Sequence, residues 1–188
     1  VLELIELLTG SVTEQEANLL YIAVTTDTGC FQYANTNAAT LRAAARLLEL
    51  GADNRKVSME FFRKISRARM ALVGHIYSGM RFFRGGQIAI AVVTRALIDD
   101  LQATEDDCDD IAGLPGRADG VVVSVTIREL TDGRSKISVR TTPEVDSCAI
   151  CAVYGGGGHK MASGCTLTCD PETAVEKILA AIDQVWPA

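Results

Sequence analysis

The sequence predicts an α/β fold: a domain built of hairpins in a mixed sheet with flanking helices, preceded by a shorter helical segment. Three observations predict it. Between residues 81 and 141, "RFFRGGQIAIAVVT" alternates about Gly85-Gly86 and "VVVSVTIRELTDGRSKISVRT" alternates about Asp132-Gly133, the pattern of two β-hairpins. Upstream, "NTNAATLRAAARLLELGAD" spaces Leu41, Ala44, Ala45 and Leu48 three and four residues apart, the period of a helix. Downstream, "DPETAVEKILAAIDQVW" offers Asp170 as N-cap, Pro171 at the first helical position, and Val175, Ile178, Leu179 and Ile182 on one face.

The remaining elements follow in order. "VLELIELLTG" places Leu2, Ile5 and Leu8 on one helical face, with Gly10 as its stop. Thr13 followed by Glu16 is a capping-box pattern, but the periodicity of "ANLLYIAVTTDTGCF" leaves buried helix and strand both open. The alanine-rich helix ends at Gly51. Ser66 reads as the N-cap of a helix through Leu72, Val73 and Ile76, in which His75 is expected to pack. "TEDDCDDIAGLPG" is expected to form a short acidic helix and a turn. These elements divide the chain into a helical part, residues 1–58, a connecting helix, 59–79, and an α+β domain, 80–188.

Composition narrows the function. With 188 residues, 48% of them hydrophobic, the chain can bury the core of one or two domains. A net charge of -6 argues against a broad basic surface that tracks long nucleic acid, while a small anionic ligand needs only a few local donors. No apolar run approaches the roughly 20 residues of a membrane span, and no basic stretch leads into a hydrophobic one, so a cytoplasmic protein without a membrane partner is expected. Cysteines stand at 30, 108, 148, 151, 165 and 169. Cys148, Cys151, Cys165 and Cys169 superficially resemble a four-thiolate zinc site. Because the first pair lies in a helical pattern, they are read as small buried hydrophobes.

The most unusual stretch is "YGGGGHKMASG", residues 154–164. It is no phosphate loop, because His159 precedes Lys160 where a glycine is required and Met161 follows it. A dinucleotide fingerprint fails as well, for want of a third glycine at the right offset and a βαβ continuation. Two readings remain: a glycine-rich turn with a structural histidine, or an anion-binding concavity of backbone N–H groups assisted by His159 and Lys160.

"GGGGHKMASG", preceded by "KISVRTTPEVDSCAICAVY", resembles the DHH-associated C-terminal domain of the DHH phosphoesterases. Upstream, "TTDTGCFQYANTNAATLRAAARLLELGAD" resembles the last metal-binding motif of those enzymes, in the variety typical of bacterial nanoRNase/pAp phosphatases. The resemblance implies two lobes about a cleft, the first holding two divalent metals, usually Mn²⁺ with Mg²⁺ as the alternative, and the second holding substrate. Residues 1–58 then correspond to the end of the catalytic lobe. Asp27 corresponds to a metal-ligating, and so catalytic, carboxylate. Arg140 corresponds to the arginine that grips a terminal phosphate, a task suited to its two-pronged guanidinium. Thr141 follows it where the family more often has serine, and Gly156, Gly157, Gly158 and His159 complete the substrate cradle, with Lys160 a solvated neighbour. The implied substrates are very short oligoribonucleotides or pAp, and the implied assembly is a homodimer through the first lobe.

The sequence departs from the family pattern in one respect. It contains neither the Asp-His-His triplet nor the leading aspartate pair, and its only histidines are His75 and His159. The missing ligands are expected upstream of Val1, and the isolated chain is expected to hydrolyse little or nothing. Rival readings are a nucleotide- or nucleic-acid-binding module without catalysis, such as accompanies alanyl-tRNA synthetases, and a portion of a cyclic-dinucleotide phosphodiesterase. The "TDTG" segment around Asp27 favours the first enzyme reading over both.

Overall fold

The computed structural model describes residues 1–187. Two compact units divide between Ile65 and Ser66. The first unit is helical: α1 (Leu2–Thr9), α2 (Glu14–Asp27), α3 (Ala38–Glu49) and α4 (Asn54–Ser58), the last running into a π-helical turn over Met59–Arg63. The helix-or-strand ambiguity after Thr13 resolves to helix. Thr13 Oγ1 accepts from the Glu16 amide at 3.2 Å and the Glu16 carboxylate accepts from the Thr13 amide at 2.8 Å, so two amides at the helix start are satisfied reciprocally.

The buried face of α3 differs from the expected one. Ala44 and Leu47 point inward against Ala17 and Tyr21 of α2, whereas Leu41 and Leu48 stand 51% and 41% exposed. A helix with alanine or leucine at most positions offers more than one apolar stripe, and its packing partner selects among them. Leu8 of α1 is likewise exposed, although the helix ends as expected at Gly10, whose φ of 72° is left-handed.

The second unit is a six-stranded sheet of order β1-β2-β3-β4-β6-β5. Its strands are β1 (Arg81–Phe83), β2 (Ile88–Val93), β3 (Val123–Glu129), β4 (Ser135–Thr141), β5 (Gly157–His159) and β6 (Ala162–Leu167). The hairpins about Gly85-Gly86 and Asp132-Gly133 form as expected, and β2 pairs parallel to β3 between them. One face buries Ile88, Ile90, Val125, Ile127, Ile137 and Val139 under α7 (Ser147–Ala152) and α8 (Pro171–Val185). Asp170 caps α8 by accepting from the amides of Glu172 and Thr173, both at 3.0 Å.

The other face has two halves. Over β2 it is apolar: Ala91 and Val93 pack with Leu72 and Ile76 of α5 (Arg67–Gly79), Ile98 of α6 (Arg95–Asp100), and Cys108, Ile111 and Leu114. Over β4, β6 and β5 it carries polar or very small residues, half-buried or exposed. Two expectations are corrected by the structure. The segment 104–116 forms no acidic helix but successive 3₁₀ turns at Asp106–Cys108, Ile111–Gly113 and Pro115–Arg117, since aspartate side chains compete for the backbone and Pro115 interrupts it. His75 lies on the solvent side of α5, because Leu72, Val73 and Ile76 take the inward face.

Candidate functional site

Alternation along β4 sends Ile137 and Val139 into the core and Lys136, Ser138 and Arg140 to the polar half-face. Strand register then brings the two most distinctive predicted residues together. Arg140 lies opposite Ala162 of β6, and Ala162 lies opposite His159 of β5, so all three project from one side of the sheet in a single row. The adjacent row is Ser138, Gly164 and Gly157. With strands about 4.8 Å apart, the Arg140 and His159 backbones stand about 10 Å from each other across a floor of Ala162, Gly164 and Gly157. Long side chains at the margins and almost none on the floor leave space for a compact anion.

Arg140 is half-buried, with Nη1 donating to the Val139 carbonyl at 3.0 Å. Among the described residues it enters no ion pair, so most of its donors remain available. It forms a wall common to two cavities. One, of about 210 Å³, is lined by Asp110, Thr126, Arg128, Lys136 and Ser138; the other, of about 190 Å³, by Gly113, Gly116, Ser124 and Thr142. Among the described residues the buried Thr142 hydroxyl finds no hydrogen-bond partner.

The four glycines have separate reasons to be glycine. Gly155 is left-handed at φ 70° and closes α7, its amide donating to the Ala152 carbonyl at 3.0 Å. A Cβ on Gly156 would lie 2.3 Å from the Gly164 carbonyl oxygen, and one on Gly158 would lie 2.5 Å from that of Ala162, so both are forced by close approach to β6. A Cβ on Gly157 would meet nothing within 4 Å. Packing therefore accounts for two of the four, and backbone conformation for a third.

The same bonds revise the expected amide cradle. The Gly156 N–H is committed to the Cys151 carbonyl at 2.9 Å, so its role is steric. The Thr141 N–H bonds to Met161 O at 3.2 Å; antiparallel alternation then turns Ala162 and Gly164 toward β5 and leaves the Gly158 amide facing the sheet edge. Thr141 lines the smaller cavity beside Arg140, while its hydroxyl donates to the Val145 carbonyl at 2.8 Å and ties down the following loop. Ser147 fixes the β5–β6 turn, its hydroxyl donating to His159 O at 3.0 Å and its amide to Lys160 O at 2.8 Å. The His159 and Lys160 residues are exposed.

Beneath the floor, Cys151 of α7 and Cys165 of β6 are buried side by side in the core. A hydrogen bond from the Cys165 thiol, with help from the Ser163 hydroxyl and the charge of Arg140, brings the Cys151 thiol down to about 7 against the opposing effect of burial. Cys165, as the donor, is pushed up.

Asp27 belongs to the first unit, as the last residue of α2. Its Oδ2 accepts from the Asn35 side-chain amide at 3.1 Å, and it lines a groove of about 960 Å³ with Leu20, Val24, Arg42 and Arg46. Among the described residues no group of three or more His, Cys, Asp or Glu side chains is placed to hold a metal. One exposed carboxylate does not make the donor set of a two-metal centre, and the described residues do not complete one. Lys136, Ser138 and Arg128, which flank Arg140 around the larger of its two cavities, were not among the expected site residues. The signal for Lys136 and Ser138 was present in the alternation of "SKISVRT", which puts every second residue beside Arg140; Arg128 reaches the cavity only through its β3–β4 pairing with Lys136.

The profile of the DHHA1 domain matches residues 85–186. The chain is 38% identical over 184 residues to the "Bifunctional oligoribonuclease and PAP phosphatase NrnA" of Thermus thermophilus, covering 97% of this chain and 54% of that protein. It is 28% identical over 179 residues to the "A-adding tRNA nucleotidyltransferase" of Geobacter sulfurreducens, covering 94% of this chain and 19% of that one. The solved structure of an exopolyphosphatase-related protein from Bacteroides fragilis superposes with a TM-score of 0.83 at 25% identity, over 92% of this chain and 51% of that chain. The chain thus spans about half the length of the curated NrnA relatives it matches. With the DHHA1 domain matched over more than half of its 188 residues, the chain belongs to the DHH family, as a portion that bears the DHHA1 domain.

Proposed function

We propose that this chain is the substrate-holding portion of a phosphoesterase that hydrolyses short oligoribonucleotides and pAp. The observation that carries the reading is the row Arg140, Ala162, His159: a guanidinium and an imidazole on one face, either side of a nearly bare floor. Arg140 offers two parallel N–H donors to a terminal phosphate, and His159 donates to the same group from the sheet edge. Gly157 and Gly164 let the sugar and phosphate approach the sheet without meeting side chains. Positioning of this kind supplies much of the rate of phosphoryl transfer once a nucleophile is present. In the whole protein Mn²⁺ or Mg²⁺, held by Asp27 together with ligands from outside this chain, would supply the activated water.

Calorimetric titration of AMP, pAp and a diribonucleotide tests the binding half. Arg140→Ala is expected to weaken each of them by tenfold or more, the loss of a charged bidentate contact; equal heats for wild type and variant defeat the reading. The isolated chain, given Mn²⁺ and pAp, is expected to release no phosphate.

A second reading, a nucleotide-binding module without catalysis, draws on the tRNA nucleotidyltransferase match, where a like segment makes up a fifth of a differently named enzyme. Phosphate release by the full-length protein that bears this chain, abolished by Arg140→Ala, favours the first reading. Binding without release favours the second.

A further inference from the structure

We infer that the cavity of about 210 Å³ between Arg140 and Lys136 is a second anion subsite, which takes a second phosphate of the nucleotide held at Arg140. The inference rests on the Arg140–His159 phosphate reading and extends it. Lys136, Ser138 and Arg140 follow one another at every second residue of β4 and line the same cavity, with Thr126 and Arg128 of β3 beside them. Arg128 lies directly opposite Lys136 in the β3–β4 register. Like charges facing each other across an antiparallel pair destabilise the sheet, so a pairing of this kind needs either an internal counterion or an external one. Arg128 has its own: Nη1 meets the Glu105 carboxylate at 2.7 Å. Lys136 has none among the described residues, and its ammonium is left for a ligand.

The spacing sets the ligand class. Four residues of antiparallel strand place the Lys136 and Arg140 backbones about 13 Å apart, and the two long side chains close on that gap from its ends. Two anionic groups separated by one ribose can be held at once. The facing wall contributes Asp109 and Asp110, which repel a polyanion too large to keep to the β4 side. The site therefore suits a ribonucleotide with phosphates on two different sugar oxygens, and it discriminates against long strands.

The test compares AMP, with one phosphate, and pAp, with two, in wild type, Lys136→Ala and Arg140→Ala. Lys136 is exposed, so its truncation leaves the fold intact. Lys136→Ala is expected to weaken pAp about tenfold, the size of one charge-assisted contact, and to leave AMP within about twofold. Lys136→Glu is expected to weaken pAp further, again without moving AMP. Arg140→Ala is expected to weaken both ligands. If Lys136→Ala weakens both ligands alike, or neither, the subsite is wrong while the Arg140 reading stands. If AMP binds the Arg140→Ala variant as tightly as wild type, the Arg140 reading falls and the subsite falls with it.

Discussion

Arg140 on β4 and His159 on β5 flank Ala162 in one row across the sheet, the smallest chiral side chain between two large polar ones. Neither residue is near the other in sequence; the β5–β6 turn, pinned by Ser147, brings them into line. Because Ala162 sits between them, its size controls access. Ala162→Leu is expected to cost nucleotide binding at least tenfold while the urea midpoint changes little, since the side chain projects onto the half-buried polar face and not into the core. Unchanged AMP affinity in a folded variant would falsify the placement of phosphate over this row.

The glycines of the same region are separable by substitution. Gly158→Ala forces a Cβ to within 2.5 Å of backbone and is expected to destabilise by about 1–3 kcal/mol, with Gly156→Ala similar. Gly157→Ala meets open space at an ordinary backbone angle and is expected to leave stability unchanged or raise it by about 0.4–1 kcal/mol through the unfolded chain. On the open face, however, that methyl occupies the floor, so nucleotide affinity should fall. Denaturant titration and calorimetry on the three variants distinguish packing glycines from a ligand-facing one.

Much of this arrangement was legible in the sequence, for reasons that are local. Thr13, Ser66 and Asp170 announce their helices because a cap is a bond between neighbours in the chain, and the Gly85-Gly86 and Asp132-Gly133 turns announce theirs through backbone angles that other residues avoid. What was illegible is set at long range. The parallel pairing of β2 with β3 joins strands some thirty residues apart through connections that carry no marker of it. The face of α3 was chosen by α2, not by its own leucines. Thr141 follows Arg140 in sequence and lines the smaller cavity with it, but its hydroxyl is committed to the Val145 carbonyl, a partner the sequence does not announce. Alternation along β4 puts Lys136, four residues from Arg140, on its side.

Thr142 carries a buried hydroxyl without a partner among the described residues, beside Arg140 in the cavity of about 190 Å³. A buried hydroxyl left unsatisfied costs about 1–3 kcal/mol. Thr142→Val keeps the shape and removes that cost, so the free protein is expected to become more stable by up to about 1 kcal/mol. A shift of the urea midpoint in the opposite direction means that the hydroxyl has found a partner, and ordered water is then the first candidate.

Asp107 joins the start of α5 to the 3₁₀ turns that wall the Arg140 cavity. Its carboxylate accepts from the Ser66 hydroxyl, the N-cap of α5, and from the Thr104 amide and hydroxyl at 2.8 and 2.9 Å. These bonds, the one from Ser66 foremost, hold its carboxyl below the usual carboxylate range. A depressed acid pKa stabilises the fold above the unfolded-state value, about 3.9 for aspartate, and that contribution is lost as pH falls through the lower folded-state value. Asp107→Asn keeps one acceptor for Ser66 but turns a donor toward Thr104, so it is expected to lower the urea midpoint clearly at pH 7. The gap between wild type and variant should narrow as the pH is taken from 5 toward 3, because the wild-type carboxylate is then protonated as well. A gap that stays constant over that range shows that the charge on Asp107 contributes nothing and that the loss is one of shape alone.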